Sequence, residues 1–389
     1  MSTSYVQTQS LPDFDLWQKK REKHSLISFT LEITARCNNN CRHCYINLPE
    51  DDQKAKAEEL TFEEIKHIVD QAVDLGAVWC LITGGEPLLR EDFEEIYLYL
   101  KRKGLLVSVF TNATLITQKH IDLFKKYPPR NLEVTVYGIT QQTYTAVTRK
   151  PELFSSFKDG IDRLLQNKIP VDLKNVTIKA NLEEFATIAA FCRKHSNAPF
   201  RFDPLLHLRF DRDEKQNEEI RNQRLTPEEI AVLECSDKVR FSALTKNCDK
   251  LVLSDRIKPE KPYLFTCGAG LSDFVVSYNG NYRLCSSLWH PDCMQDLRNT
   301  SVSEAKTSLT SKIRNMQTDS RDFLEKCGVC PLINFCIWCP AHAYLETGVL
   351  ELACSYFCEV AERRYGNLTY GSIKKDYLNT EKTYYLTSD

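Results

Sequence analysis

The sequence predicts an α/β fold built on parallel strands, joined to a small cysteine-rich region. Three observations carry that prediction. From about Ser28 to His207, short apolar runs alternate with amphipathic helical runs, each pair taking about 25 to 35 residues, which is the punctuation of repeated βα units. Helix start and stop residues fall between the runs where such units need them. From Cys267 to Cys358, nine of the chain's 16 cysteines crowd among short, weakly periodic segments, the pattern of a domain held by metal rather than by a large core.

The first unit opens with the strand candidate Phe29 to Thr34. Thr61, followed three residues later by Glu64, has capping-box spacing and starts a helix, and Gly76 sits where that helix should stop. Val78 to Thr83 is the second strand candidate, with Gly104 in the stop position after the next helix. Leu105 to Thr111, Leu132 to Tyr137, Leu173 to Lys179 and Phe200 to Leu206 complete the set, and Asn181 with Glu184 has the spacing of a helix cap after the fifth strand. Six such units could form an open doubly wound sheet or an incomplete barrel; both place chemistry at the carboxyl ends of the strands. After Leu208 the chain reads as a polar, charge-rich passage to about Leu225, and Thr226, Pro227 and Glu229 then make a capped helix start. The expected organisation is an amino-terminal extension at 1–27, the repeated units at 28–225, a helical linker at 226–264, the cysteine-rich domain at 265–365 and a polar, tyrosine-rich tail at 366–389.

At 389 residues, 42% hydrophobic and 27% charged, the composition is that of a globular protein and excludes fibres, collagen and wholesale disorder. Lysine and arginine number 51 against 53 acidic residues, so no net field draws the protein to nucleic acid or anionic lipid, and neither is an expected partner. The longest apolar stretch, around Ala77 to Ile82, falls far short of the roughly 18 residues of a membrane span, and Met1 to Lys20 lacks an apolar signal core. A cytoplasmic protein is expected, and in that reducing compartment abundant cysteine points to metal rather than disulfides.

Cys37, Cys41 and Cys44, spaced CxxxCxxC, follow the first strand directly. Three thiolates within eight residues make a pocket for an iron–sulfur cluster, and a cubane on three cysteines leaves one iron open to a reactant. Zinc completed by His43 is the alternative, though His43 lies between two of the cysteines and would have to ligate from within their own loop. After the second strand stand Thr83, Gly84, Gly85, Glu86 and Pro87, where paired glycines let backbone polar groups approach a ligand with no side chain in the way.

The segments CNNNCRHC and GGEP, each at the end of its strand, resemble the signature of the radical S-adenosylmethionine (SAM) enzymes. That resemblance covers roughly residues 28–210 and implies a partial (β/α)6 TIM-type barrel. It implies that Cys37, Cys41 and Cys44 hold a 4Fe–4S cluster whose open iron chelates the methionine end of SAM. Gly84, Gly85 and Glu86 would then hold the methionine amino group, and His43 would pack near the adenine. Asn112, Tyr137 and Asn181 fall where the family contacts ribose or adenine, and Arg149, eleven residues past Gly138, matches the arginine that pairs the SAM carboxylate. Related enzymes often read SxDG after the fourth strand where this chain reads Thr135, Val136, Tyr137 and Gly138, so the usual carboxylate is absent. The implied chemistry is reductive cleavage of SAM to a 5′-deoxyadenosyl radical that abstracts hydrogen from a substrate. No residue is assigned as a catalytic acid or base.

The carboxyl-terminal set is Cys267, then Gly280 with Cys285 five residues on, then Cys327, Cys330, Cys336 and Cys339, then Cys354 and Cys358. This order resembles the SPASM domain, which binds two auxiliary 4Fe–4S clusters, although the gap from Cys336 to Cys339 is one residue shorter than the family's. The resemblance implies Cys267, Cys285 and Cys339 on the first auxiliary cluster, with Cys293 the nearest spare ligand. It implies Cys327, Cys330, Cys336 and Cys358 on the second, with Cys354 the alternative to Cys358. A pair of zinc ribbons is the other reading of the CxxC spacing. Cys80, Cys192, Cys235 and Cys248 read as ordinary thiols.

The chain therefore resembles radical SAM enzymes with a SPASM domain, the PqqE-like, peptide-maturase-like group. Such enzymes mostly cross-link, epimerise or oxidise ribosomally made peptides or protein side chains, and they are oxygen-sensitive. A peptide or protein substrate and an electron donor such as flavodoxin or ferredoxin are the implied partners. Members that read leader peptides often carry an extra winged-helix module of about 80 residues, and here only some 27 residues precede the first strand, so for a peptide substrate a separate small leader-peptide recognition protein or direct substrate binding is expected. A small-molecule reaction on a tetrapyrrole or an alcohol, and a non-catalytic zinc-binding interaction protein, are the competing readings.

Overall fold

The computed structural model describes residues 25–196, 198–253, 262–336 and 338–370. Most of the expected amino-terminal extension and tail, and part of the linker, lie outside these residues.

All six expected strands are present and parallel: β1 (Ser28–Thr34), β2 (Trp79–Gly84), β3 (Leu106–Thr111), β4 (Asn131–Thr135), β5 (Asp172–Val176) and β6 (Arg201–Asp203). They pair in chain order from β1 to β6. Period-two alternation sorts their side chains. On β1, Phe29, Leu31 and Ile33 are buried in the apolar layer shared with the helices, while Thr30 and Glu32 face the concave side. Leu81, Thr83, Phe110, Thr135, Lys174, Val176 and Asp203 continue that inner face. The sheet curls around a lumen lined by both polar and apolar side chains, as a partial barrel.

The connecting helices start and stop largely where the sequence indicates. Phe62–Asp74 opens with the Thr61 and Glu64 capping box and is followed by Gly76 at φ 96°; Gly104, at φ 80°, follows Phe93–Arg102. Thr226, Pro227 and Glu229 cap the helix Pro227–Ser236 as expected. One reading is corrected. The expected cap at Asn181 is absent: residues Lys179–Glu184 form a short 3₁₀ turn and the helix begins only at Phe185. The Asn181 side chain accepts from the Ile178 amide at 2.8 Å and so closes that turn instead. The polar passage after Leu208 contains a helix, Glu214–Gln223, which buries only Asn217 and Ile220 and therefore carries no apolar stripe to read.

The cysteine-rich region does not stand apart from the barrel. Its strands β7 (Val275–Val276), β8 (Asn281–Arg283) and β9 (Gln295–Asp296) extend the same sheet, β7 running parallel to β1. Phe274 stacks between Phe29 of β1 and Tyr282 of β8, with centroids 5.6 and 5.0 Å apart. A buried ion pair, Arg283 with Glu32, crosses the same seam. Beyond it, Pro340–Thr347 and Ser355–Tyr370 are the last helices among the described residues.

Candidate active site

One cavity of about 680 Å³ occupies the carboxyl-terminal side of the barrel. Cys37, Cys41 and Cys44 line it, together with His43, Gly84, Gly85, Asn112, Tyr137 and, from the cysteine-rich region, Cys285.

The loop carrying the three cysteines is clamped by backbone. Asn40 and Arg42 amides donate to the carbonyls of Thr148 and Val147 at 3.0 Å each, and Arg42 Nε donates to the carbonyl of Ala146 at 2.7 Å. These three carbonyls end the helix Gln141–Thr148, so the loop caps a helix terminus that would otherwise lack donors. Burial pushes all three thiols up from the usual cysteine range, and for Cys37 the neighbouring Cys41 and Cys44 add to it. Asn112 Nδ2 lies 3.8 Å from Cys37 Sγ, and the Tyr137 hydroxyl bonds Cys41. Among the described residues, no three His, Cys, Asp or Glu side chains converge on a single metal ion. A cubane asks for something else, since each thiolate takes a different iron. Three neighbouring thiols facing one cavity, Cys41 buried and Cys37 and Cys44 partly so, fit such a cluster in donor chemistry and placement.

The paired glycines do more than clear a path for a ligand. A Cβ on Gly84 would lie 2.1 Å from the Thr34 carbonyl oxygen, and one on Gly85 would lie 2.3 Å from that of Arg36. Gly84 also has φ +134°, a backbone state that side-chain-bearing residues rarely adopt. The Gly85 and Glu86 amides donate to those same carbonyls at 2.7 and 2.9 Å, so the missing side chains dock the second loop onto the first. The Glu86 carboxylate turns into the protein and accepts from the Leu88 amide (3.0 Å), the Thr111 hydroxyl (2.8 Å) and the Asn112 amide (2.7 Å). Its burial pushes its pKa up to about 7, opposed by these three donors.

The other expected SAM contacts divide. Asn112 and Tyr137 reach the cavity, as does His43, whose ring lies 5.6 Å from that of Tyr137 and whose burial lowers its pKa to about 4. Arg149 and Asn181 are not on its wall. Arg149, in a left-handed conformation at φ 57°, gives Nε to the Asn40 carbonyl at 2.9 Å and a terminal nitrogen to Asn40 Oδ1 at 3.1 Å. Asn181 Nδ2 spans the carbonyls of Tyr137 and Val176 at 3.1 and 3.0 Å. Both brace the loops that form the site.

The carboxyl-terminal cysteines fall into two groups. Cys267 and Cys285 both raise the thiol of Cys339, which burial pushes up to about 12, and Cys293 feels Cys285. In the second group, Cys330, Cys336 and Cys358 raise Cys327, also pushed up to about 12. Cys354 sits beside this second group too, feeling Cys327, Cys336 and Cys358.

Several cavity residues escape a motif-based reading. Glu32 lies on a strand that alternates apolar and polar, and that alternation is the signal for its inward-facing position; Lys174 lies on Asp172–Val176, where Asn175 breaks the alternation. His207 and His342 stack with centroids 4.0 Å apart on the cavity wall, and Arg240 and Arg364 complete it; nothing in the spacing of these four marks them.

Residues 31–192 match the Radical SAM superfamily. A parallel barrel with three thiols in the loop after its first strand is the arrangement such a domain uses, and residues 31–192 of the chain are a radical SAM domain. A 4Fe–4S cluster and S-adenosylmethionine are the cofactors typical of such domains. The chain is similar to the AdoMet-dependent heme synthase of Methanosarcina barkeri, 24% identical over 341 residues that cover 82% of this chain and 92% of that protein. It is also similar to AlbA, the antilisterial bacteriocin subtilosin biosynthesis protein of Bacillus subtilis, 24% identical over 80% of this chain and 66% of that one. The fold matches that of Streptococcus suis SuiB bound to S-adenosylmethionine at a TM-score of 0.63 and 16% identity, over 90% of this chain and 84% of SuiB. No helix among the described residues is long and apolar enough to cross a membrane.

Proposed function

We propose that this enzyme modifies a side chain of a peptide or protein. The supporting observation is the single cavity shared by the Cys37, Cys41 and Cys44 loop and by Cys285. When bound, the cluster and S-adenosylmethionine supply a carbon radical able to take hydrogen from an unactivated C–H bond. The chain's own part is to hold the reacting group near that point and to exclude water. A ligand pocket for one drug-sized molecule typically measures about 300–1,000 Å³. This one, of about 680 Å³ and open on one side, must also take the cluster and S-adenosylmethionine, and it leaves an entry for an inserted side chain.

In this proposal Cys37, Cys41 and Cys44 hold the cluster, and His43, Gly84, Gly85, Asn112 and Tyr137 contact S-adenosylmethionine. Glu86 contributes through its backbone, and Arg149 and Asn181 act by holding loops. Cys267, Cys285 and Cys339, with Cys293 as the spare, and Cys327, Cys330, Cys336 and Cys358 would hold two auxiliary clusters. A flavodoxin or ferredoxin would deliver the electron, and a separate small recognition protein would present the peptide.

The heme synthase similarity, which spans 92% of that protein, favours a second reading in which the substrate is a tetrapyrrole. Reduced holoenzyme assayed for 5′-deoxyadenosine with a library of short peptides and with coproporphyrin III separates the two. Peptide-stimulated cleavage with a mass change in the peptide supports the proposal. Stimulation by the porphyrin alone overturns it.

A further inference from the structure

At the end of the cavity away from any motif, two guanidiniums share one buried carboxylate. Arg240 donates to Glu234 Oε1 at 2.6 Å, and Arg364 donates to Oε2 through Nε and to Oε1 through a terminal nitrogen, both at 2.7 Å. The Glu234 side chain is only 1% exposed, and Arg240 and Arg364 both line the cavity. These three side chains alone carry one more cation than anion, and Arg364 also faces the Cys336 thiol. Of the other charges on the wall, Glu32 pairs with Arg283, Lys174 with Glu133 at 2.7 Å, and Asp273 lies beside Lys306; the exposed Asp203, which follows Phe202 in the chain, is on the same wall. Burying ions beside low-dielectric walls is costly unless the charge finds a counterpart, and a cleft focuses any surplus field inward.

The donors point the same way. Arg364 is anchored, its third nitrogen giving to the Phe335 carbonyl at 2.7 Å. Arg240 is only half committed. Of the five N–H groups of a guanidinium, one goes to Glu234 and one to the Phe202 carbonyl at 2.9 Å, and its Nε is buried with no acceptor. Its plane is held by the Phe202 ring, 4.7 Å from the guanidinium carbon. A fixed, partly unsatisfied guanidinium beside a surplus charge is a receptor for a carboxylate.

We propose that Arg240, positioned by Glu234, Phe202 and Arg364, binds a carboxylate of the substrate, either an acidic side chain or the free carboxyl terminus of a peptide. This rests on the peptide reading for the molecule that carries the carboxylate, not for the carboxylate itself.

The test uses the full chain, reconstituted anaerobically and saturated with S-adenosylmethionine, and reads binding by calorimetry or saturation-transfer NMR. The probes are N-acetylglutamate N-methylamide, its glutamine isostere, N-acetylglycylglycine for the terminal carboxylate, and coproporphyrin III. A charge-assisted contact of about 1.5–3 kcal/mol makes the glutamate probe bind roughly tenfold or more tighter than the glutamine one. Arg240→Met removes that difference and Arg240→Lys keeps part of it. Arg240→Met leaves Glu234 paired with Arg364, so it strands no buried charge; should it fail to fold, the glutamate-to-glutamine ratio in the wild type, and its decline with salt, decide alone. Equal binding of the two isosteres, a ratio untouched by Arg240→Met, or failure of every carboxylate probe overturns the inference. Binding of the porphyrin alone, lost in Arg240→Met, upholds the carboxylate site and overturns the peptide reading.

Discussion

A methyl group at residue 84 has nowhere to go. It would meet the Thr34 carbonyl at 2.1 Å on a backbone already at φ +134°, so Gly84→Ala should cost about 1–3 kcal/mol in backbone strain before the clash is counted. Thermal unfolding of the apoprotein checks this, and an unchanged midpoint would show that the loop yields. Glu86→Ala strands three donors at about 1–3 kcal/mol each, whereas Glu86→Gln keeps an acceptor and should unfold nearer the wild type. Arg149 separates motif from geometry. Its position in the sequence matches a carboxylate clamp, but both its described hydrogen bonds go to Asn40 between the first two cysteines. Arg149→Ala should therefore leave the affinity for S-adenosylmethionine near that of the wild type and speed cluster loss by roughly tenfold, one ordinary hydrogen bond's worth. Iron retention after desalting, set beside a binding isotherm, distinguishes the two roles. Such facts depend on where a side chain ends up, which the spacing of residues along the chain does not encode.

Among elements, the strands were the most legible and the seam between regions the least. The first strand shows its apolar run in the sequence because its outer face packs against helices, and its inner face betrays itself by alternation, as Thr30 and Glu32 do between Phe29, Leu31 and Ile33. The helix Glu214–Gln223 was hidden because it buries almost nothing. Strands β7 and β8, of two and three residues, are too short to register as a pattern, yet they carry the cysteine-rich region onto β1. The Glu32 and Arg283 pair guards that seam, with Arg283 also lying 3.6 Å over Trp289. Arg283→Met should destabilise the chain by about 3–5 kcal/mol because it leaves a buried carboxylate alone. Adding Glu32→Leu should recover most of the loss, since the pair as a whole contributes little beyond its geometry. Chemical denaturation of the single and double variants tests this; a double variant as unstable as the single would show that the pair itself holds the seam.

At the scale of the whole molecule, the fold brings together cysteines that lie more than two hundred residues apart, so that Cys44 and Cys285 open on one cavity. The cysteine spacing and the GGEP segment made the cofactors legible, because a cluster constrains local sequence. The substrate left no such trace: the walls that would recognise it, Lys174, His207, Arg240, His342 and Arg364, come from separate elements and are adjacent only after folding. The account rests most heavily on the three amino-terminal cysteines. The direct test is anaerobic reconstitution with iron and sulfide, counting iron per chain and assaying 5′-deoxyadenosine after reduction, in the wild type and in the Cys37→Ala, Cys41→Ala, Cys44→Ala triple variant. Three four-iron clusters predict about twelve irons falling to about eight, with cleavage abolished; zinc in near-stoichiometric amount with no cleavage, or cleavage that survives the triple variant, would contradict it.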